Sequence, residues 1–410
     1  MTTTSQDVDA AATRLHGVAA TTPLERSERL SALTGADVWL KREDLQVVHS
    51  YKLRGAYNLI AQSLDAAGTS GVVCASAGNH AQGVAWAAKA FGLAARIYVP
   101  ATTPRQKRDR IAVLGGDRVQ VLVVGDTYDE SFAEAERDAS TTGAVLVPAF
   151  DDPRTIAGQG TVAKEVVAQL GGAPDLFVAP VGGGGLLAGC AVWLAGSATR
   201  VVGAEPMGAA SMTAALAAGR PVALEDLDSF VDGAAVRTVG AITFPIVQRH
   251  AEQVVTVDEG ALCTEMLALY QSDGIIAEPA GALATAALPQ AVSPGTTAVC
   301  VLSGGNNDIS RYAEILERSL VHQGLKHYFL VEFPQEPGAL RRFLSDVLGP
   351  DDDIALFEYV KRNNRETGPA LVGLELARAE DFTPLLARMA SSPMTCTLIA
   401  PDDPLFRFVL

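Results

Sequence analysis

The sequence has little that would tie it to nucleic acid, to a membrane or to an oxidising compartment. Its 32 Lys and Arg residues are outnumbered by 47 Asp and Glu, for a net charge of −15. Nucleic acid and anionic membranes both call for a basic footprint, so neither is expected as a partner. There is no apolar run long enough to span a bilayer. The opening Met1-Thr2-Thr3-Thr4-Ser5 lacks the charged and apolar regions of a signal peptide. The five cysteines (Cys74, Cys190, Cys263, Cys300 and Cys396) are scattered without a CxxC pair, which excludes a disulfide framework and a zinc cluster. They read as reduced core residues of a cytoplasmic protein. A GxxxxGK[ST] loop is missing, which disfavours an NTP site, and so is a GxSxG elbow, which disfavours a serine nucleophile. Small anionic substrates stay allowed, because a local site can oppose the global field.

What is present is 410 residues, enough for two or three domains, with 48% hydrophobic residues and 38 glycines. Short β-rich runs alternate with amphipathic stretches over most of the length. Strands are expected at 72–75, 96–99, 119–124, 145–147, 176–179, 201–204, 254–257 and 298–302, with helices at 82–91, 131–139 and 156–170 among them. Such alternation argues an α/β fold with two parallel-sheet subdomains and a ligand cleft between them. Beyond Val321 the pattern changes. Strands at 327–333, 354–360, 370–376 and 396–399, with helices at 339–348 and 381–390, spell βαββαβ. That order describes a small α+β ferredoxin-like domain.

Five short segments carry chemistry-bearing residues. Lys52 lies in Ser50-Tyr51-Lys52-Leu53-Arg54-Gly55-Ala56, just after the charged run Lys41-Arg42-Glu43-Asp44. It is either a solvated helix-end charge or an amine placed to form a Schiff base. Ser76-Ala77-Gly78-Asn79-His80 joins a strand to a helix expected from Ala81. Backbone N–H groups there suit a carboxylate or phosphate, although an ordinary Asn/Ser cap would use the same residues. His80 reads as a structural hydrogen-bonding residue ahead of a catalyst. Gly182, Gly183, Gly184 and Gly185, followed by Leu186, again lie between strand and helix. Four glycines carry a large ordering cost, which a backbone approaching a phosphate explains better than a turn does. Ser303, in Ser303-Gly304-Gly305-Asn306, ends another strand. Glu278-Pro279 and Glu205-Pro206 each offer a carboxylate, either an ordinary surface acid or part of a cation site.

Together with Lys41 to Leu45 and Glu278 to Ala282, these segments resemble the fold-type II pyridoxal-phosphate enzymes (tryptophan synthase β-like), and among them the biosynthetic threonine dehydratases. The resemblance spans roughly residues 15–320. From Phe333 to Leu340 the chain also resembles the start of that family's ACT-like regulatory domain, of which one copy is expected. The implied layout is a catalytic domain over 1–320, with a small subdomain at roughly 50–145, and an ACT-like domain over 325–410.

The resemblance implies pyridoxal 5'-phosphate held by Lys52 as a Schiff base, with Asn79 on the ring hydroxyl and Ser303 facing the ring nitrogen. It places the phosphate on the N–H groups of Gly182, Gly183, Gly184, Gly185 and Leu186, and the substrate carboxylate on Ser76, Ala77, Gly78, Asn79 and His80. Tyr51 departs from the family, which has phenylalanine before the lysine, and its hydroxyl needs a partner if buried. Ala77 stands where racemases of the group place a second serine, so elimination is implied over racemisation. Glu205 and Ala209 fall where relatives bind a cation. Ser211 supplies no third acid, which restricts that site to a monovalent ion. The implied reaction is dehydration and deamination of L-threonine, with L-serine also open as substrate. Isoleucine is the implied inhibitor, opposed by valine, and a homo-oligomer (dimer or tetramer) is implied. Two other readings remain: a degradative serine/threonine dehydratase with another effector, and a catalytically dead amino-acid-binding regulator.

Overall fold

Strands with both faces covered by helices need apolar side chains on both sides, and the short Val/Ile/Ala runs supply them. The computed structural model describes residues 3–66, 69–359, 365–401 and 403–409. In chain order the strands are β1 (Leu24–Arg26), β2 (Asp37–Arg42), β3 (Val72–Ala75), β4 (Ala95–Val99), β5 (Val119–Val123) and β6 (Val145–Leu146). Then come β7 (Leu176–Pro180), β8 (Arg200–Pro206), β9 (Gln253–Val257) and β10 (Thr297–Leu302). They form two sheets, β5-β4-β3-β6 and β1-β2-β10-β7-β8-β9, with every pairing parallel except the edge strand β1. The central β3 and β7 are buried along their whole length. Each sheet has its own core: Phe177, Leu187 and Val299 in the larger, Ile60, Val84 and Ile97 in the smaller.

The eight expected strands are all present. The sequence reading contained neither β1 nor β2, and β2 shows why. It pairs with β10 in register Leu40↔Cys300 and Lys41↔Val301, so Lys41 sits in the sheet with its side chain fully buried. A lysine there ends any apolar run that a reader would score.

Contacts divide the chain into two units, Met1–Asn307 and Asp308–Leu410. The second unit thus takes in the helix Tyr312–His322, which the expected limit of 320 cuts. Its strands are β11 (Lys326–Pro334), β12 (Asp353–Tyr359), β13 (Thr367–Glu375) and β14 (Thr395–Ile399). They make an antiparallel sheet in the order β12-β13-β11-β14, the ferredoxin-like arrangement. Val360, expected in the second of these strands, lies outside the described residues. The expected helix at 339–348 is one α-turn, Ala339–Arg342, followed by a π-turn, Phe343–Val347. Phe329, Phe343, Val372 and Leu385 form the core of this unit. No helix among the described residues is long and apolar enough to cross a membrane.

Candidate active site

In an open parallel sheet, ligands bind beyond the carboxyl ends of the strands. The order β2-β10-β7 makes three such ends neighbours. Arg42 at the end of β2 leads to the Lys52 helix, Leu302 at the end of β10 leads to Ser303, and Pro180 at the end of β7 leads to the glycines. The smaller sheet brings its own strand end, Ala75 of β3, and the loop to Asn79.

Lys52 is the first residue of the helix Lys52–Ala66. Contacts on both sides fix that start. The Tyr51 N–H donates to the Ser303 carbonyl at 3.2 Å, and Ser50 bridges Gly304. One turn on, Gly55 crosses Gly158 of the helix Pro153–Leu170, where a side chain on Gly158 would overlap the Arg54 and Gly55 backbone. Gly83 of the helix Asn79–Phe91 lets that helix approach the Lys52 backbone in the same way. Tyr51 is half-buried and packs against the larger core, with its ring 5.1 Å from Lys52 Nζ. The Ser50 hydroxyl is buried without a protein partner.

Behind Lys52 lies a buried ion network. Arg54 donates to Glu43 at 2.7 and 2.8 Å and to Glu165 at 2.6 and 2.9 Å, and Lys41 donates to Glu165 at 2.7 Å. Arg54, Lys41 and Glu43 have no exposed surface. Burial alone would raise the Glu43 carboxyl, but the Arg54 guanidinium outweighs it and holds the acid below its usual range. Burial lowers the Lys41 ammonium in spite of the two nearby carboxylates. The network ties β2, the Lys52 helix and the helix Pro153–Leu170 into one block.

The loop Ser76–Gly78 is half-exposed, and its helix begins at Asn79, two residues before the expected start. Ser76 Oγ accepts from the Gly78 N–H at 3.3 Å. The next N–H groups, of Asn79, His80 and Ala81, have no carbonyl acceptor inside the helix. His80 turns its ring into the core, with Nε2 2.7 Å from the Val147 carbonyl and Nδ1 without a partner. Burial, then the charge of Lys52, pushes its pKa down to about 4. The imidazole is therefore neutral, and only the His80 backbone is placed to face a ligand.

Gly184 caps the helix Gly185–Leu194 at φ +92°, a conformation that glycine adopts without strain. The N–H groups of Gly185, Leu186 and Leu187 open that helix and point along its positive end. The glycines have a second cause that the sequence did not reveal: a side chain on Gly183 would overlap the Phe150 ring, and one on Gly182 would crowd the Ala234 backbone. Ser303 is buried and its hydroxyl donates to the Ala280 carbonyl at 3.2 Å, which leaves its lone pairs unassigned. The donor set of primary amine, amide, hydroxyl and helix N-terminus fits a phosphorylated aromatic aldehyde.

Two acids were open to a surface reading, and both are buried. Glu205 accepts the Met212 and Thr213 N–H groups at 3.0 and 2.7 Å, and the Ser211 hydroxyl is buried without a protein partner. Burial pushes its pKa up. Ala209 is buried alongside. No group of three or more His, Cys, Asp or Glu poised for a metal occurs among the described residues. Glu278, 6% exposed, accepts from Asn79 Nδ2 at 2.5 Å, while Asn79 Oδ1 accepts from Asn306 Nδ2 at 2.7 Å. Neither Glu278 nor Asn306 received a role from the sequence. The glutamate's partners are 199 positions away, so no local pattern marks it.

Comparison with known proteins agrees with this geometry. A family of pyridoxal-phosphate dependent enzymes matches residues 16–304, and the C-terminal regulatory domain of threonine dehydratase matches 317–409. The chain is 60% identical to a biosynthetic L-threonine dehydratase of Mycobacterium tuberculosis, over 98% of this chain and 95% of that protein. A corresponding protein of Corynebacterium glutamicum is 55% identical, over 98% and 94%. Among solved structures, threonine deaminase isoform 2 of Solanum lycopersicum superposes with a TM-score of 0.70 at 36% identity, covering 78% of this chain and 96% of that one. Maize serine racemase superposes at 0.71 with 29% identity, over 78% and 99%. The fold is that of the fold-type II group, with a regulatory domain appended. The chain belongs to the family of pyridoxal-phosphate dependent enzymes.

Proposed function

We propose that the protein removes water and then ammonia from L-threonine to give 2-oxobutanoate, as the entry step of isoleucine biosynthesis. The observation that carries this is the meeting of Lys52, Ser303 and the Gly185 helix start at neighbouring strand ends, with Asn79 of the smaller sheet's loop joined to them through Asn306, in a chain 60% identical to a threonine dehydratase over nearly its full length.

Bound there, pyridoxal phosphate supplies an electron sink for charge released at the substrate α-carbon. Lys52 Nζ would hold the cofactor's aldehyde carbon, and the same amine is the base that would take the substrate α-proton. The N–H groups from Gly182 to Leu186 hold the phosphate, and Asn79 holds the ring oxygen. The Ser76–His80 loop takes the substrate carboxylate on its backbone N–H groups. Ser303 is neutral and cannot keep a ring nitrogen protonated as an aspartate would, which favours prompt loss of the β-hydroxyl. Ala77 has no proton to deliver to the opposite face of the α-carbon. Glu205 and the Ala209 carbonyl hold a monovalent cation, a reading supported by the buried carboxylate and the unpartnered Ser211 hydroxyl.

The C-terminal unit takes isoleucine as inhibitor, with valine opposing it, and the protein works as a cytoplasmic dimer or tetramer. A cavity of about 340 Å³ in this unit is lined by Phe329, Leu386, Met389, Met394, Cys396 and Leu398, among others. It contains no charged side chain, so it suits an aliphatic group better than an amino acid's ammonium and carboxylate.

Keto-acid release from L-threonine and L-serine, with and without isoleucine, tests the whole reading. Turnover of L-threonine that falls on adding isoleucine is the expected result. An enzyme that turns over neither substrate, or one indifferent to isoleucine, would refute the catalytic or the regulatory half respectively.

A further inference from the structure

We propose that Glu278 is a positioning residue that fixes the orientation of the Asn79 amide and, through it, the hydrogen bond offered to the cofactor ring oxygen. This rests on the role given to Asn79 above.

An asparagine amide is nearly symmetric in shape, and only its partners decide which end is which. Asn306 donates to Asn79 Oδ1 and, with the same nitrogen, to the Val48 carbonyl at 2.9 Å. On the other end, an ionised Glu278 is acceptor-only and demands the N–H side of the amide. The two contacts agree on one orientation. One of the two Nδ2 hydrogens is thereby used, and one remains for a ligand oxygen. A protonated Glu278 would carry a donor as well, and would no longer demand the N–H side, leaving Asn306 alone to set the amide.

The surroundings are shaped for this contact. Glu278 stands at the N-terminus of the helix Pro279–Ala286, where a carboxylate ordinarily caps its own helix, yet its side chain makes no cap bond there. Its N–H donates to the Gly304 carbonyl at 3.2 Å. A side chain on Gly304 would overlap the Glu278 carboxylate, and one on Gly281 would overlap the Gly304 carbonyl. Two glycines thus clear the path by which the acid reaches Asn79.

The charged groups facing it come from three elements: Lys52, Lys107 of the helix Arg105–Gly115, and Asp232, which pairs with Lys107. Burial and then Asp232 push the acid up, while the Asn79 bond, Lys107 and Lys52 pull it back, leaving it at about 7. The proton on Glu278 therefore comes and goes in the working pH range. Above that midpoint the carboxylate and Asn306 hold the amide from both ends, and below it the charge-assisted hold on Nδ2 is lost and Asn306 alone remains.

The experiment compares wild type, Glu278→Gln, Asn79→Ala and the double variant. Each apoprotein is titrated with pyridoxal phosphate, and the bound cofactor's absorbance and the kcat and KM for L-threonine are followed from pH 5.5 to 9. In the wild type we expect a spectral transition near neutrality and an acid-side fall in kcat. Glu278→Gln should lose the transition and reduce kcat by roughly tenfold to a hundredfold, the size of one charge-assisted hydrogen bond, with KM changed less. In the Asn79→Ala background, Glu278→Gln should add nothing. An unaltered transition in Glu278→Gln, or additive effects in the double variant, would overturn the proposal. Should Glu278→Gln not fold, Asn79→Ala decides alone: loss of the transition supports the proposal, and its persistence overturns it. A wild type that binds no cofactor would instead sink the underlying assignment of the site.

Discussion

The two units of the chain solve burial in opposite ways. Among the described residues, the buried ions Arg54, Lys41, Glu43, Glu205 and Glu278 all lie within residues 1–307, while the second unit buries one carboxylate, Asp352, against the part-exposed Arg388. The C-terminal unit closes instead over Phe329, Phe333, Phe343 and Leu385, with Phe343 and Phe357 edge-on to Phe333. An apolar core tolerates exchanges that conserve its volume. A buried ion network does not, since removing one member strands the other. The first unit therefore accepts fragile burial near Lys52 in return for fixed geometry, and the second is held mainly by apolar packing.

Lys52→Ala breaks the comparison most sharply. It should cut keto-acid production from L-threonine by about a thousandfold, within the range for loss of a proton-transferring group, while circular dichroism of both units is unchanged. Turnover within tenfold of wild type would remove Lys52 from the chemistry. Next is Arg54→Met, which leaves Glu43 buried without its cation. We expect about 3–5 kcal/mol lost in urea unfolding of the first unit, together with weakened cofactor binding, and no shift in the second unit's transition. A loss below about 1 kcal/mol would mean that the network is not the lock argued above. Phe343→Ala should cost the C-terminal unit about 3 kcal/mol by opening a cavity, with kcat at saturating L-threonine and no isoleucine kept within about twofold. A large fall in kcat would show that the contrast between a fixing and a non-fixing core is too simple.

The same contrast explains what the sequence made legible. The central strands β3, β7 and β10 stood out because both faces are apolar, the edge strands β5 and β9 because they are rich in valine, and β11 to β14 because alternation and turn residues frame them. β2 did not, because Lys41 occupies a core position made tenable by the Thr22 carbonyl and by Glu165 and Gln169, more than 120 residues away. Glu278 was invisible as a buried acid for the same reason, its partner Asn79 being far along the chain. The glycine tract was noticed for its composition, yet Phe150, which presses on Gly183, could not be inferred from it. Local patterns report local causes, and much of this site is held by distant ones.

The place of β10 in its sheet has a consequence for the order in which the protein comes off the ribosome. It is the last strand of the first unit to be made, yet it lies between β2 and β7, which precede it by more than 100 residues. Until residue 302 has emerged, the central sheet has a gap where its middle strand belongs, and the chain ends bearing Lys52 and the glycines have nothing to join them. From residue 180 until residue 302 the growing chain must keep two strand edges unpaired, a period in which such edges invite wrong pairing. Assembly of the site and completion of the sheet are then one event, and a chain that stops short of β10 gains neither.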